Sequence, residues 1–322
     1  MARWSPFLGS HSRAGRQQRA TRRRLDDAFS AAGTAMRRLG LVGVALMVAF
    51  AGTLVGVAPA VAGGRGAPVI EGLFDVGGHR LYLRCTGQGT PAVVMDHSLG
   101  DGGDSTTWSA VEPSIAHHTR VCVYDRAGVG RSDPGPFPRT SQLMVDDLTT
   151  LLRVADIPGP YVVVAHSFAG LNVQLLARQD GGHNVVGVVL IDTLPPELIA
   201  IFDELGIPIP PPEDRVENPE GIDIRLSAAQ VLAAPPFPPI PLLVLRIIQE
   251  DPFFEDLWQE LQLAQSQLSP TGRLIVARNS GHFIQIDQPK LVVRAIVEVV
   301  ARARHNALDS GPRIDSPQGE LR

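Results

Sequence analysis

Two residues of this chain, Ser167 and His282, have the chemistry and the local context of a nucleophile and its general base. Ser167 lies in the run Ala-His-Ser-Phe-Ala-Gly, residues 165–170, directly after an apolar run and before a helical one. A serine held at a sharp turn from a strand into a helix exposes its hydroxyl, and small neighbours let the backbone pass. Because Ser is also a common N-cap, the same run is compatible with a simple helix start.

His282 is a partner that a simple helix start would not need. It lies just beyond the predicted strand Leu274 to Ala277 and before the last amphipathic helix. An imidazole at that edge can take the hydroxyl proton of Ser167 and return it to the leaving group. The pair therefore predicts acyl transfer through a covalent acyl-enzyme.

Two acidic residues compete for the role of orienting His282. Asp192 directly follows the apolar run Val185 to Ile191, so its carboxylate is expected at the same sheet edge as the imidazole. Asp251 follows the next predicted strand, and either residue could instead cap a helix. We favour Asp192, and Asp251 stays the alternative acid.

The elements that must position these side chains alternate between short β-rich runs and helical runs from Gly66 to Arg304. Several of the β-rich runs are apolar throughout, as parallel strands covered on both faces should be. The predicted strands are Gly78 to Cys85, Ala92 to Asp96, Arg120 to Tyr124, Tyr161 to Ala165, Val185 to Ile191, Pro241 to Leu245 and Leu274 to Ala277. This alternation predicts a mainly parallel α/β sheet with helices on both faces.

A Pro-rich stretch, residues 195–240, is too long for an ordinary connection and predicts an inserted cap. Its apolar residues suggest a small-molecule substrate with an apolar acyl part; they are Phe202, Leu205, Ile207, Leu226, Val231, Leu232 and Phe237. Residues 305–322 are rich in Ser, Gly and Pro and predict a disordered tail.

The segment from Val121 to Asp133 (Val-Cys-Val-Tyr-Asp-Arg-Ala-Gly-Val-Gly-Arg-Ser-Asp) resembles the strand-and-turn signature of the α/β-hydrolase superfamily. Together with the Ser167 and His282 segments, it makes the region from Gly66 to Arg304 similar to the serine esterase, lipase and peroxidase-like branch. The resemblance implies an eight-stranded, mainly parallel sheet. It also implies that Asp125 and Arg126 shape a turn rather than react.

The same resemblance implies further site residues. The oxyanion hole would use two backbone N–H groups, those of Phe168 and of Leu99 in the loop after Asp96, with His97 as a structural residue. The family's commoner position for the acid is that of Asp251, and some members place it where Asp192 lies.

Cys85 and Cys122 are the only cysteines, and the sheet order of the family makes their strands antiparallel neighbours. A disulfide between them is expected in an oxidising compartment, and two packed thiols are the alternative.

The first 64 residues predict export. An Arg-rich start precedes an apolar run from Leu39 to Val61, and small residues at Ala58, Ala60 and Ala62 suit a signal cleavage site. The run is also long enough for a retained membrane anchor, which would be the protein's sole membrane contact. Translation could start at Met1 or at Met36.

Composition excludes several other classes. With a formal net charge of −4, the chain has no basic surface of the kind that binds nucleic acid. It has no spaced His or Cys set for a metal and no Gly-rich phosphate loop, so we expect no cofactor. The sequence predicts a serine hydrolase acting on an ester, a thioester or an amide. The alternative is a non-catalytic binding protein of the cell envelope that keeps the fold.

Overall fold

A computed structural model describes residues 69–102 and 106–309. The strands are β1 (Ile70–Asp75), β2 (Arg80–Thr86), β3 (Ala92–Asp96), β4 (Val121–Tyr124), β5 (Tyr161–His166), β6 (Val185–Ile191), β7 (Leu242–Arg246) and β8 (Arg273–Val276). The helices are α1 (Thr106–Ser109), α2 (Glu112–Ala116), α3 (Ser141–Val154), α4 (Ala169–Asp180), α5 (Glu197–Leu205), α6 (Ile224–Ala233), α7 (Pro252–Ser266), α8 (Ile284–Asp287) and α9 (Pro289–Asp309).

The strands form one eight-stranded sheet in the order β1-β2-β4-β3-β5-β6-β7-β8. Strand β2 pairs antiparallel with both β1 and β4, and all pairs from β4 to β8 are parallel. The predicted α/β sheet is therefore confirmed. Because β5 is central and β3 and β6 flank it, the residues that follow these strands meet at one edge of the sheet.

Both faces of the sheet are covered, which explains why the parallel strands are apolar throughout. On one face, α3 and α4 pack through a stripe that includes Leu148, Leu151 and Val173. On the other face, α2 and α9 pack through Ile115 and Ile296, each of which is fully buried. This two-sided packing fixes the positions at which the strands end.

The edge strand β1 was not among the strands predicted from the sequence. Its side chains alternate between half-buried and exposed, and it contains Gly72. Short, half-exposed edge strands have a weak apolar signal, so the pattern around Ile70–Asp75 does not stand out in the sequence.

The Pro-rich stretch 195–240 contains two helices, α5 and α6, joined by an irregular segment. The cap residues Ile199, Ile209 and Val231 pack in one cluster with Phe168 and Leu171 of the region that follows β5. Part of the expected apolar lining is placed elsewhere. Phe237 packs in the core under the sheet, and Leu226 and Leu232 are exposed on the cap.

Cys85 and Cys122 are directly paired in the register of β2 and β4, with Cα atoms 4.0 Å apart, and a disulfide joins them. Both side chains are buried in the core. Disulfides persist in oxidising compartments, which agrees with export. Export itself stays a prediction.

The predicted signal or anchor, with its open choice between Met1 and Met36, lies outside the described residues. Among the described helices, none has the length and apolar character to cross a membrane. The tail was predicted to be disordered from residue 305, but α9 continues to Asp309, so that boundary is wrong. The helix continues because 305–309 contain no Gly or Pro to stop it.

Candidate active site

Ser167 occupies the turn between β5 and α4 with a positive φ of 57°. Residues other than Gly, Asn and Asp rarely adopt this conformation. Backbone strain of this kind is concentrated at functional sites. The Ser167 carbonyl accepts hydrogen bonds from the N–H groups of Gly170, at 3.1 Å, and Leu194, at 3.0 Å. The side chain is half-buried. The backbone at Ser167 is therefore held by two hydrogen bonds at its carbonyl, and the residue is not closed off from solvent.

Small residues make this turn possible, as the sequence suggested. Ala165 and Ala169 are fully buried. A Cβ atom at Gly170 would lie 2.4 Å from Cβ of Thr193, much closer than two carbon atoms can approach. Gly170 therefore lets α4 begin directly against the end of β6.

His282 and Asp192 are hydrogen-bonded to each other, with 2.7 Å between Nδ1 and Oδ2. Asp192 directly follows β6, and His282 lies in the loop between β8 and α8. The carboxylate is fully buried, whereas the imidazole is 42% exposed. The structure thus brings together an oriented, accessible imidazole and a buried acid at the sheet edge where Ser167 lies.

The loop of His282 is joined directly to the residue before the serine. Nε2 of His166 donates to the carbonyl oxygen of His282 over 2.9 Å, and the two ring centroids are 4.6 Å apart. Burial, and then the proximity of His282, holds the pKa of His166 well below its usual range, so this ring is neutral. A neutral ring can hold the loop in place without repelling a positive charge on His282.

Asp192 is held by donors from two other elements. Its Oδ1 accepts from the Ile247 N–H at 3.1 Å and from Nε1 of Trp258 at 2.9 Å. Trp258 belongs to α7, and nothing in the sequence singled it out. With Oδ1 fixed in this way, Oδ2 is left to face His282.

Asp251, the alternative acid, lies elsewhere. Its Oδ1 accepts from the N–H groups of Phe253 and Phe254, so it is the N-cap of α7. This is the role that its position before Pro252 allowed. The side chain is exposed, and among the described residues it makes no hydrogen bond with His282.

The loop after β3 has few backbone N–H groups left for a substrate oxygen. The His97 N–H is bonded to Oδ1 of Asp96, and the Gly100 N–H to Oε1 of Glu220. Within the described residues, the N–H groups of Leu99, Ser98 and Phe168 have no hydrogen-bond acceptor. These free donors include Phe168 and Leu99, the pair predicted for the oxyanion hole.

Arg126 lies beneath this loop with a buried guanidinium group. It donates to the carbonyl oxygens of His97, at 2.6 Å, and Ser98, at 2.8 Å. It also forms ion pairs with Asp96 and with Glu220 of the cap, each with a shortest distance of 2.6 Å. Burial opposes the charge, but the two carboxylates outweigh it and raise the pKa of Arg126 above its ordinary value.

His97 and Asp125 take the structural roles implied by the resemblance. Burial and the charge of Arg126 lower the pKa of His97 well below its usual range, and its Nδ1 lies 3.1 Å from the Ser98 carbonyl oxygen. Asp125 accepts from the Arg131 N–H at 2.7 Å and closes the turn after β4. Neither residue is placed as a second base.

The described residues contain no group of three or more His, Cys, Asp or Glu side chains that could hold a metal ion.

The sequence also matches known proteins. Residues 91–213 match the family model of the alpha/beta hydrolase fold. YqjL of Bacillus subtilis (strain 168) is 31% identical over 231 residues, which cover 68% of this chain and 88% of YqjL. A probable transporter, efuK of Hormonema carpetanum, is 37% identical over 130 residues, and the matched part covers 38% of this chain and only 18% of that protein.

Among solved structures, a thermophilic esterase from Thermogutta terrifontis shares the fold. Its TM-score is 0.54 at 22% identity, and the match covers 74% of this chain and 99% of the esterase chain. The sheet order, the match to the family model and the likeness to YqjL lead to the same conclusion. The chain belongs to the alpha/beta hydrolase fold family, a family of hydrolases.

Proposed function

We propose that this protein is a serine hydrolase that cleaves carboxylic esters through an acyl-enzyme on Ser167. The observation that carries the proposal is the 2.7 Å hydrogen bond between Nδ1 of His282 and the buried Asp192, at the sheet edge where Ser167 adopts a positive φ. Thioesters and amides would react through the same acyl-enzyme chemistry.

In the proposed reaction, Ser167 Oγ attacks the substrate carbonyl while His282 takes its proton. Asp192 engages Nδ1, so Nε2 is the ring nitrogen left to act as the base. The carbonyl oxygen becomes negatively charged and is stabilised by the free N–H groups of Phe168 and Leu99. The imidazolium then protonates the leaving alcohol, and water releases the acyl group by the same steps.

The rival proposal is a binding protein that keeps the fold and has lost turnover. It is motivated by two departures from the usual pattern of the family. Ala165 and Ala169 flank Ser167, and Ser98 lies in the loop after β3, at positions where the family usually has glycine. An oriented His282 and a strained Ser167 argue against it, because a binding protein has no use for either.

A fluorophosphonate probe separates the two proposals. The probe phosphonylates only a serine that a base activates, so we expect wild-type protein to be labelled and Ser167→Ala to lose labelling while keeping its thermal unfolding midpoint. Ser280→Ala, which removes a half-buried hydroxyl in the loop before His282, is the matched control and should label normally. Absence of labelling in folded wild-type protein would favour the binding protein.

The substrate is expected to have an apolar acyl part. Half-buried apolar side chains pack against the cluster that contains Phe168, and they include Leu99, Leu194 and Phe202. Each added methylene of an acyl chain that contacts them should contribute up to about 0.8 kcal/mol. We therefore expect kcat/KM for p-nitrophenyl esters to rise about tenfold or more from acetate to hexanoate. Equal values along the series would contradict an apolar acyl site.

A further inference from the structure

One buried network connects the loop after β3, the turn after β4, the cap and the helix after Ser167. Asp96 accepts from Arg126 and the His97 N–H through Oδ1, and from Asn172 of α4 through Oδ2. Arg126 in turn donates to Glu220, which belongs to the cap. Asp96, Arg126 and Glu220 are all buried, with at most 3% of each residue exposed.

Glu220 does more than neutralise Arg126. Its Oε1 accepts from the Gly100 N–H at 2.7 Å as well as from Arg126 at 2.6 Å. Arg126 and Glu220 therefore hold the loop from His97 to Gly100 at three backbone groups, the carbonyls of His97 and Ser98 and the N–H of Gly100. Leu99 lies between the held groups, and its free N–H is the proposed second oxyanion donor.

We propose that Arg126 and Glu220 are positioning residues that fix the Leu99 N–H for the oxyanion, and that the cap thereby completes the oxyanion hole through Glu220. This inference rests on the proposed function. It gives the cap a part in the chemical step, in addition to any part in binding the substrate. A hydrogen-bond donor acts on a transition state only if it is already in place, because reorganising it during the reaction costs energy.

The network also has a structural reading, in which it only holds the cap on the sheet. The two readings differ in which kinetic constant changes. A displaced oxyanion donor lowers kcat, because the oxyanion forms only in the transition state, and leaves KM nearly unchanged. A loosened cap would change KM or the amount of folded protein.

Glu220→Gln is the variant that tests the proposal. It keeps the size of the side chain but removes the charge that holds Arg126. Replacing Arg126 itself would be less informative, since it would leave two carbonyls and two carboxylates without their donor. Steady-state hydrolysis of p-nitrophenyl butyrate is measured, and kcat is divided by the concentration of sites that the fluorophosphonate probe titrates. Unfolded molecules, which the probe does not label, then do not affect the value of kcat per site.

We expect kcat per titrated site to fall about 10- to 100-fold in Glu220→Gln, since misplacing a group by about 1 Å can cost about 100-fold. KM should stay within about threefold, a range that marks no real change in binding. Glu220→Asp keeps the charge but shortens the reach to Gly100, and it should lose activity in the same direction if Glu220→Gln does not fold.

Asp203→Asn is the matched control. It removes a carboxylate from a cap ion pair, that of Asp203 with Arg225, which is about half exposed. Among the described residues, this pair forms no hydrogen bond with the loop after β3. The kcat per titrated site of Asp203→Asn should equal that of the wild type. A wild-type kcat per site in a folded Glu220 variant would overturn the inference while leaving the proposed function intact. If the fluorophosphonate probe does not label the folded wild-type protein, the proposed function itself is contradicted.

Discussion

Replacing His282 by alanine is expected to lower kcat for ester hydrolysis about 10⁵- to 10⁶-fold, because the variant has no base to take the proton of Ser167. The double variant Ser167→Ala/His282→Ala should lose no more than either single variant. A nucleophile and its base act as one unit, so once one is gone the other contributes nothing. A small residual rate over water should remain in all three, from binding and the oxyanion donors.

The measurement is kcat with p-nitrophenyl butyrate for the wild type, both single variants and the double variant. His305→Ala is the matched control, since His305 is an exposed histidine on α9 that pairs with Asp309. It should retain wild-type activity. A double variant that loses the product of the two single losses would show that Ser167 and His282 act independently, which the proposed mechanism does not allow.

The sequence predicted the central part of the fold well. Strands β3 to β7 lie within a residue or so of the predicted runs, because buried parallel strands are apolar throughout and end at polar residues. The structure has Ser167 and Asp192 directly after β5 and β6, as the apolar runs predicted, and their catalytic roles stay predictions. Edge strand β1 and the end of α9 were missed or misplaced, because partial exposure weakens the apolar pattern.

The support around the site could not be predicted from the sequence. Glu220 lies in an irregular part of the cap, and its contacts with Arg126 and Gly100 join residues about a hundred positions apart in the chain. Trp258 contacts Asp192 only because α7, which packs against β7 and β8, brings its side chain to the residue that follows β6. Such contacts depend on how the helices and strands pack against each other, and the local sequence pattern does not predict them.

The choice between the two acids was open because both candidates lie beyond the end of a predicted strand. Asp192 and Asp251 both follow predicted strands, and both precede a proline within a few residues. The structure separates them by geometry. The residues after β7 form a loop in which Ile247 is buried and donates its N–H to Asp192, and Asp251 comes only after this loop, at the start of α7.

Asp192→Asn is therefore expected to lower kcat about 10⁴-fold while leaving the protein folded. An asparagine can place its carbonyl oxygen where Oδ1 lies and still accept from the Ile247 N–H and from Trp258. Its amide nitrogen would then face Nδ1 of His282 as a donor. The imidazole would have to carry its proton on Nε2, which is the nitrogen that must accept the proton of Ser167.

The comparison is made with Asp251→Asn, which removes the same charge from the N-cap of α7. Asparagine is as good an N-cap as aspartate, so this variant should keep both wild-type activity and stability. Kinetics at saturating p-nitrophenyl butyrate and thermal unfolding are measured for both variants. Full activity in Asp192→Asn together with a large loss in Asp251→Asn would reverse the assignment of the acid. A large loss in Asp192→Asn alone, with an unchanged unfolding midpoint, supports Asp192 as the residue that fixes the tautomer of His282.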